Sequence, residues 1–428
     1  MIGSALRLLI LASAVALGGV AVAGEPPAWT AGAGPQCRGG DGYAADFQGR
    51  RTFRLRPDWM AATKQRLAEP AIAPAFAALI RRADAALTGP TYTVVDKLKT
   101  PPSGDKHDYM SMGPYWWADP SKPNGEPYLR RDGQINPERN TNAFDVTDLD
   151  AMSSGVEALA LAYYFTDDAR YAAKAVTLLR VWFLDPATRM NPNATFAQGV
   201  PGVTPGRAEG VLDTSRLLRV TETLGLLTPS GALTDQDQKG LERWFSDYLD
   251  WMHASPTGRA EQAKTNNHGG WFDAQAMGFA LFTRRDALAR ATVAAAGDRR
   301  IATQIQPDGS MPEELTRTRA LNYSYYALEA LVETGEYGRC VGLDLWRYRT
   351  EDGRSLRAVF DFLGPYVGQE SRFPYPDLKA TEAGGKAVEL FALAAWAYGE
   401  QALADKAALL EPAYRDHRSY LEIARYGR

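Results

Sequence analysis

Two short polar segments carry side chains that could move a proton next to a carboxylate. Residues 265–272 read Thr-Asn-Asn-His-Gly-Gly-Trp-Phe, and residues 314–326, about fifty positions later, contain Arg317, Arg319 and Tyr323. Amide and guanidinium groups donate hydrogen bonds to carboxylates, whereas imidazole and phenol groups transfer protons. The two segments together predict removal of a proton beside a carboxylate, which is the chemistry that cleaves a 4-linked uronate by β-elimination.

Each of these side chains has a predicted role in such an elimination. The proton at C5 of the sugar becomes acidic only when the adjacent carboxylate is neutralised, so hydrogen-bond donors act there as an oxyanion hole does. Asn267 and Arg317 are the predicted donors, and His268 could either donate as well or act as a base from the opposite face. Tyr323 is the predicted base and could also protonate the leaving oxygen. A phenol has a pKa of about 10, so Tyr323 would need cationic neighbours such as Arg317 and Arg319.

The predicted secondary structure places both segments at helix starts. Residues 266–268 precede two glycines and the apolar run 271–282, and the first N–H groups of a helix point outward without partners. Residues 317 and 319 fall in a turn that leads into the helix of Tyr323. Taken singly, the asparagines could be ordinary helix caps and the arginines could pair with nearby carboxylates. The presence of a complete proton-transfer set in two segments favours catalysis.

The segment 101–140 does not follow the helical pattern of the chain. It is rich in Pro, Gly, Asp and aromatic residues, and long irregular segments in compact domains are usually functional. Aromatic faces stack on sugar rings and arginines bind carboxylates through two N–H groups. The alternative is a covering loop that packs its tryptophans on the helices. The predicted substrate-binding residues are His107, Tyr115, Trp116, Trp117 and Arg130, together with Asn266 and Arg319 of the two polar segments.

The rest of the chain predicts an all-α fold. Apolar residues recur at steps of three and four, as in Leu217, Val220, Leu224 and Leu227. A loose internal echo, in which an apolar helix meets a short polar turn and a second helix, suggests stacked helical hairpins in an (α/α) toroid. An irregular helical bundle is the alternative. The echo is found at 162–171, 280–288, 331–338 and 396–403.

The N-terminus predicts export. Residues 1–23 have the positive start, the apolar run and the Ala-Val-Ala end of a signal peptide, so we expect a periplasmic or secreted protein whose catalytic domain is 24–428. Cys37 and Cys340 could form one disulfide or stay as thiols. The net charge is −3, which gives no general attraction for nucleic acid, and we expect no membrane contact after cleavage of the signal peptide. If the substrate is a polyanion, the basic residues that bind it must therefore be concentrated in a cleft.

The two polar segments resemble the motifs of a known family. Asn-Asn-His followed by Trp, with Glu-Leu-x-Arg and Arg-Ala-Leu-x-Tyr downstream, is similar to the alginate lyase superfamily of (α/α) toroid polysaccharide lyases. The run from Ser103 to Tyr109, with 114–117, resembles its bacterial alginate and glucuronan lyases. The resemblance implies an alginate or glucuronan substrate. It also implies carboxylate neutralisation by Asn267 and Arg317, His268 as neutraliser or base, and Tyr323 as base and acid.

This chain departs from the usual family pattern at two points. Gly-Gly-Trp follows His268 where better-known alginate lyases have x-Tyr-Trp, and the spacing from the first arginine to Tyr323 is one residue shorter. The choice between Arg317 and Arg319 therefore stays open, as does the uronate that is cleaved.

Two other functions are consistent with the sequence. A helical-toroid glycoside hydrolase would use a pair of carboxylates as acid and base, here Glu313 and Glu314 with Asp273 or Asp148. A non-catalytic polysaccharide-binding protein would use the same aromatic residues and arginines without needing a histidine and a tyrosine together. We expect no cofactor and no catalytic metal, because the histidines and cysteines do not cluster; a calcium ion held by loop carboxylates stays open.

Overall fold

The computed structural model describes residues 47–379 and 383–427. The predicted signal peptide and Cys37 lie outside the described residues, so export and the disulfide stay predictions, as does the single domain. Within the described ranges, none of the helices has the length and hydropathy to cross a membrane. The α-helices, numbered in chain order from α1, are Pro57–Lys64, Ala73–Thr88, Val146–Thr166, Ala169–Leu179, Leu217–Leu224, Asp235–Ala254, Pro256–Gln262, Asn267–Phe282, Asp286–Ala296, Ala302–Gln304, Pro312–Leu315, Ala320–Gly338, Leu356–Leu363, Gly384–Tyr398, Gln401–Tyr414 and, as α16, Ser419–Glu422.

Five of these helices form the inner layer. A helix that is apolar on all sides lies inside a protein, and in α8 every residue from Gly269 to Phe282 is buried. The same holds for most of α3 and α12. Along the layer, α3 packs on α5, α5 on α8, α8 on α12 and α12 on α14. The inner layer therefore supplies the core and holds the N-terminus of α8 in a fixed place.

The outer helices are joined to inner ones by tight turns. The pairs are α3 with α4, α8 with α9, and α14 with α15. The first turn has Asp167 in the left-handed region, followed by Asp168, whose side chain caps α4. The third turn has Gly399 at a φ of 71°. These turns coincide with the predicted hairpins at 162–171, 280–288 and 396–403.

The prediction of a fourth helical hairpin, at 331–338, is wrong. This segment continues α12 to its end at Gly338. Its polar residues suggested a turn, but they make buried contacts within the helical core. Glu336 accepts hydrogen bonds from Trp346 at 2.8 Å and from Arg56 at 3.0 Å. A buried carboxylate that is paired in this way does not interrupt a helix.

The segment 101–140 forms short strands and one 3-10 helix, Pro137–Asn140, in place of α-helices. β1 (Met110–Met112) runs parallel to β4 (Phe196–Gly199), and β2 (Trp116–Trp117) pairs antiparallel with β3 (Leu129–Arg130). The β2–β3 pair projects as a ribbon that brings its side chains to the helix ends. Tyr115 precedes this ribbon, and its backbone oxygen accepts a hydrogen bond from Arg131 N at 2.7 Å.

A buried ion network ties the first described residues to the last helices. Arg54 contacts Glu389 of α14 at 2.6 Å and Glu422 of α16 at 2.8 Å. Arg418 contacts Glu157 of α3 at 2.6 Å. Because these pairs join helices from both ends of the chain, the network links the first inner helix to the last.

Candidate active site

A cleft of about 690 Å³ opens where the N-termini of α8 and α12 meet the β2–β3 ribbon. All four predicted catalytic residues line it, as do the predicted binding residues Asn266, Tyr115, Trp116, Arg130 and Arg319. The structure therefore brings together predicted side chains from three separate segments. His107 and Trp117 are not part of the cleft wall.

The start of α8 places His268 at the cleft. Asn266 is the N-cap, and its side chain accepts a hydrogen bond from the backbone N–H of His268 at 3.2 Å. The following Gly269 is required by packing, since a Cβ there would lie 2.1 Å from the carbonyl oxygen of Lys264. Nδ1 of His268 lies 2.6 Å from Oε1 of Glu261, a carboxylate at the end of α7. The imidazole is thus held on one edge, and its other edge is turned away from Glu261.

Asn267 is held by a second buried carboxylate, Glu314. The backbone N–H of Asn267 donates to Glu314 at 2.7 Å, and its Nδ2 lies 3.0 Å and 2.9 Å from the two carboxylate oxygens. Burial raises the pKa of the Glu314 carboxyl, although the Asn267 hydrogen bonds and Arg317 oppose this. One amide hydrogen suffices for this contact, so only the second Nδ2 hydrogen is left for a ligand.

Tyr323 lies against Arg317 and Tyr115. The guanidinium carbon of Arg317 is 3.8 Å from the centre of the Tyr323 ring, and the hydroxyl groups of Tyr323 and Tyr115 share a hydrogen bond. Burial raises the pKa of Tyr323 well above its usual value and Tyr115 adds to this, whereas Arg317 lowers it. The predicted cationic neighbour is present, but burial outweighs it. The Tyr323 hydroxyl is therefore protonated at neutral pH in this structure.

Asp132 of the 101–140 segment occupies one edge of Arg317. Its carboxylate accepts from Nη2 at 2.8 Å and from Nε at 3.2 Å, and it also accepts from the Thr318 hydroxyl at 3.0 Å. Burial would raise the pKa of Asp132, but the hydrogen bond and charge of Arg317 outweigh it and lower that pKa to about 2. Gly133 allows this approach, because a Cβ there would lie 2.3 Å from Thr318 Oγ1.

The cleft is more basic than the chain as a whole. Eight arginines and lysines line it against three carboxylates, whereas the whole chain has a net charge of −3. Local accumulation of cations attracts a polyanion to one place on an acidic protein. The basic residues are Arg130, Arg139, Arg207, Arg216, Lys264, Arg317, Arg319 and Lys386.

The two tryptophans of β2 have different surroundings. Trp116 lines the cleft, with the guanidinium carbon of Arg207 5.9 Å from its ring centre. Trp117 donates its indole N–H to Gln134 O at 2.9 Å and lies 5.2 Å from the Arg131 guanidinium, so it packs within its own segment. His107 contacts the carbonyl oxygen of Arg189 through Nδ1 at 2.6 Å. A direct binding role fits Trp116 but neither Trp117 nor His107.

The carboxylates of the hydrolase alternative do not face each other across the cleft. Glu314 is 2% exposed and bound to Asn267. Asp273 is fully buried and pairs with Arg300 at 2.8 Å and Arg299 at 2.7 Å. Of the four proposed acids, Glu313 alone is part of the cleft wall. An acid–base pair flanking a sugar linkage is therefore not formed by these residues.

The supporting contacts of three site residues were missed by the sequence reasoning, which considered Glu314 only as a hydrolase acid. Glu261, Glu314 and Asp132 lie behind or beside the predicted catalytic groups and make their hydrogen bonds. The one available signal was the short distance along the chain, since Glu261 lies seven residues before His268. Within the described ranges, His, Cys, Asp and Glu side chains form no group of three that could hold a metal ion.

The fold and the cleft define a helical protein with stacked inner and outer layers and a cationic site built around histidine, asparagine, arginine and tyrosine. The family model described as alginate lyase matches residues 93–373. The chain belongs to the alginate lyase family. The predicted family is thereby confirmed.

Solved structures and curated relatives agree with this. An alginate lyase crystal structure from Bacteroides ovatus is 38% identical, with a TM-score of 0.84 over 88% of this chain and 99% of that one. Alginate lyase A1-III from Sphingomonas species A1 shares the fold, at 16% identity and a TM-score of 0.50 over 81% of this chain and 94% of that one. The (α/α) toroid prediction is confirmed.

An alginate lyase from Pseudomonas syringae pv. syringae is 33% identical over 127 residues, which are 29% of this chain and 32% of that relative. The matched part of the chain thus spans about a third of the curated relative.

Proposed function

We propose that this protein is a polysaccharide lyase that cleaves a 4-linked polyuronate, alginate or glucuronan, by β-elimination. The observation that carries the proposal is the convergence of Asn267, His268, Arg317 and Tyr323 on one cationic cleft. The names of its relatives support alginate as the substrate class. The signal-peptide pattern at 1–23 supports action in the periplasm or outside the cell.

Neutralisation of the substrate carboxylate is assigned to Arg317 and Asn267. Asp132 binds Nε and Nη2 of Arg317, and Nη1 makes no hydrogen bond to any described residue that would compete with a ligand. Nη1 and the second amide hydrogen of Asn267 can then act together on a uronate carboxylate. This stabilises the negative charge that develops when the C5 proton leaves.

The proton transfers are assigned to His268 and Tyr323. A phenol is protonated at neutral pH, and burial raises the pKa of Tyr323 further, so Tyr323 can give its proton to the leaving O4. Nε2 of His268 takes the C5 proton, the C–H electron pair forms the C4–C5 double bond, and the C4–O4 bond breaks with its electrons on O4. Return of the imidazolium proton to the tyrosinate through solvent restores both groups.

The experiment is to incubate the pure protein with alginate, polymannuronate, polyguluronate and glucuronan and to follow ultraviolet absorbance. A C4–C5 double bond conjugated with the carboxylate absorbs, so one or more of these polymers should give a rising signal. Failure of all four to give absorbing products, with the protein folded by circular dichroism, would exclude this function.

A further inference from the structure

His268 is held from behind by a buried carboxylate. The side chain of Glu261 is 1% exposed, against 15% for His268, and the two groups meet at 2.6 Å. Glu261 lies on α7 and His268 at the start of α8, so the pair spans the short connection between these helices. Glu261 is not part of the cleft wall, whereas His268 is. The carboxylate thus does not contact a ligand in the cleft itself, and its hydrogen bond reaches the cleft through the imidazole.

The contact determines which ring nitrogen carries the proton. An ionised carboxylate only accepts hydrogen bonds, so a neutral imidazole beside it donates Nδ1–H and keeps its lone pair on Nε2. The two nitrogens lie on opposite edges of the ring, which turns Nε2 away from Glu261. A neutral ring in this tautomer can accept a proton through Nε2 but cannot donate one there.

We propose that Glu261 is a positioning residue that fixes His268 as the Nδ1–H tautomer and so makes it the base, and not a donor to the substrate carboxylate; this rests on the function proposed above. When Nε2 takes the C5 proton the ring becomes a cation, and the adjacent Glu261 anion stabilises it. Oε2 of Glu261 has no hydrogen-bond partner among the described residues, so Nδ1–H of His268 is the contact that this buried carboxylate is placed to make.

The competing explanation is that the pair only fastens α7 to α8. A structural link would affect the melting temperature but would require neither a particular tautomer nor a catalytic effect. Glu336 provides a matched control, because it is also a fully buried, hydrogen-bonded glutamate, but it lies at the far end of α12 beside Trp346. Glu336→Gln should change stability without changing the state of His268.

The test combines nitrogen NMR with kinetics on the whole enzyme. The chain has four histidines, so long-range proton–nitrogen spectra are simple, and His268→Ala identifies the signal. At a pH where the rings are neutral, wild-type His268 should show a protonated Nδ1 and a bare Nε2. Glu261→Gln should lower kcat, within the ~10²–10⁴-fold that a general base supplies, while KM stays near wild type.

Two results would overturn the proposal. One is a wild-type spectrum with His268 in the Nε2–H form. The other is a Glu261→Gln enzyme whose kcat equals that of wild type and of Glu336→Gln. The spectrum needs no substrate, so it tests the tautomer of His268 independently of the product assay. An enzyme that yields no unsaturated product would refute the proposed function but would not change the result of the spectrum.

Discussion

The roles assigned to single cleft residues depend on the buried carboxylates to which they are hydrogen-bonded. Asn267 and His268 are adjacent in sequence, yet each is held by a different buried glutamate, Glu314 and Glu261. The sequence predicted Asn267 and His268 because their types and spacing suggest proton transfer. It did not predict that these two glutamates hold them, because an acid near a helix end is usually a surface or capping residue. Their burial follows from tertiary packing, which the local pattern does not contain.

Tyr323→Phe removes one hydroxyl and keeps the ring against Arg317. We expect kcat to fall by ~10²–10⁴-fold, because a general acid is lost. The melting temperature should stay near wild type, since among the described residues this hydroxyl is hydrogen-bonded to Tyr115 alone. Tyr325→Phe is the control: Tyr325 lies two residues further along α12, is buried, and is not part of the cleft wall. A Tyr323→Phe enzyme with a normal rate would remove Tyr323 from the chemistry.

Lysine substitutions separate the two arginines. Arg317 binds Asp132 through two N–H groups and stacks on Tyr323, and a lysine ammonium cannot reproduce this planar contact. Arg317→Lys should therefore lower kcat/KM by on the order of 10²-fold, as loss of an oxyanion donor does. Arg319→Lys should have the smaller effect. The reverse order in steady-state assays would assign neutralisation to Arg319.

At the scale of elements, the helix positions could be predicted from the sequence, whereas the strands of the 101–140 segment could not. The three- and four-residue spacing of Leu217, Val220 and Leu224 identifies α5, and the apolar run 271–282 identifies α8 by its length. β2 and β3 are two residues each, too short for an alternating pattern. Their pairing is set by contacts between distant residues, such as Tyr128 N to Pro201 O at 3.1 Å. Which of Trp116 and Trp117 faces the cleft depends on this pairing. The sequence does not contain this information, so both tryptophans were predicted to bind substrate.

The β2 strand offers a matched pair of variants. Trp116→Ala should raise KM by about two- to tenfold, the effect of losing an aromatic contact worth ~0.5–1.5 kcal/mol, with little change in kcat. Trp117→Ala should leave KM near wild type, because Trp117 packs on Arg131 and Gln134 and not on the cleft. Equal effects of the two variants on KM would show that the ribbon acts only by packing.

At the scale of the whole molecule, the buried ion network makes stability depend on pH. Glu333 of α12 belongs to this network, with Oε1 3.7 Å from Nε of Arg54. Burial raises the pKa of Glu333 to about 7, although Arg54 opposes this. The folded protein thus holds this proton more tightly than the unfolded chain, in which a glutamate has a pKa of about 4.3. The stability from this group is fully present below about pH 4 and is lost as pH rises toward 7.

Glu333→Gln removes this titration. Its amide stays neutral at every pH. Between about pH 5 and 8, the interval in which Glu333 titrates, the melting temperature of the variant should therefore fall less than that of wild type. Thermal unfolding followed by circular dichroism across this interval gives the comparison. A variant with the same slope as wild type would show that Glu333 is ionised throughout.

The most direct test of the elimination is the fate of water. Hydrolysis adds one water to each cleaved linkage, whereas elimination adds none. The enzyme should be incubated with its best polyuronate in ¹⁸O-labelled water and the oligosaccharides analysed by mass spectrometry, with Tyr323→Phe as the blank. We expect fragments at the unsaturated mass without ¹⁸O at the new ends. Saturated fragments that carry one ¹⁸O for each cleavage would contradict the lyase mechanism and favour a hydrolase.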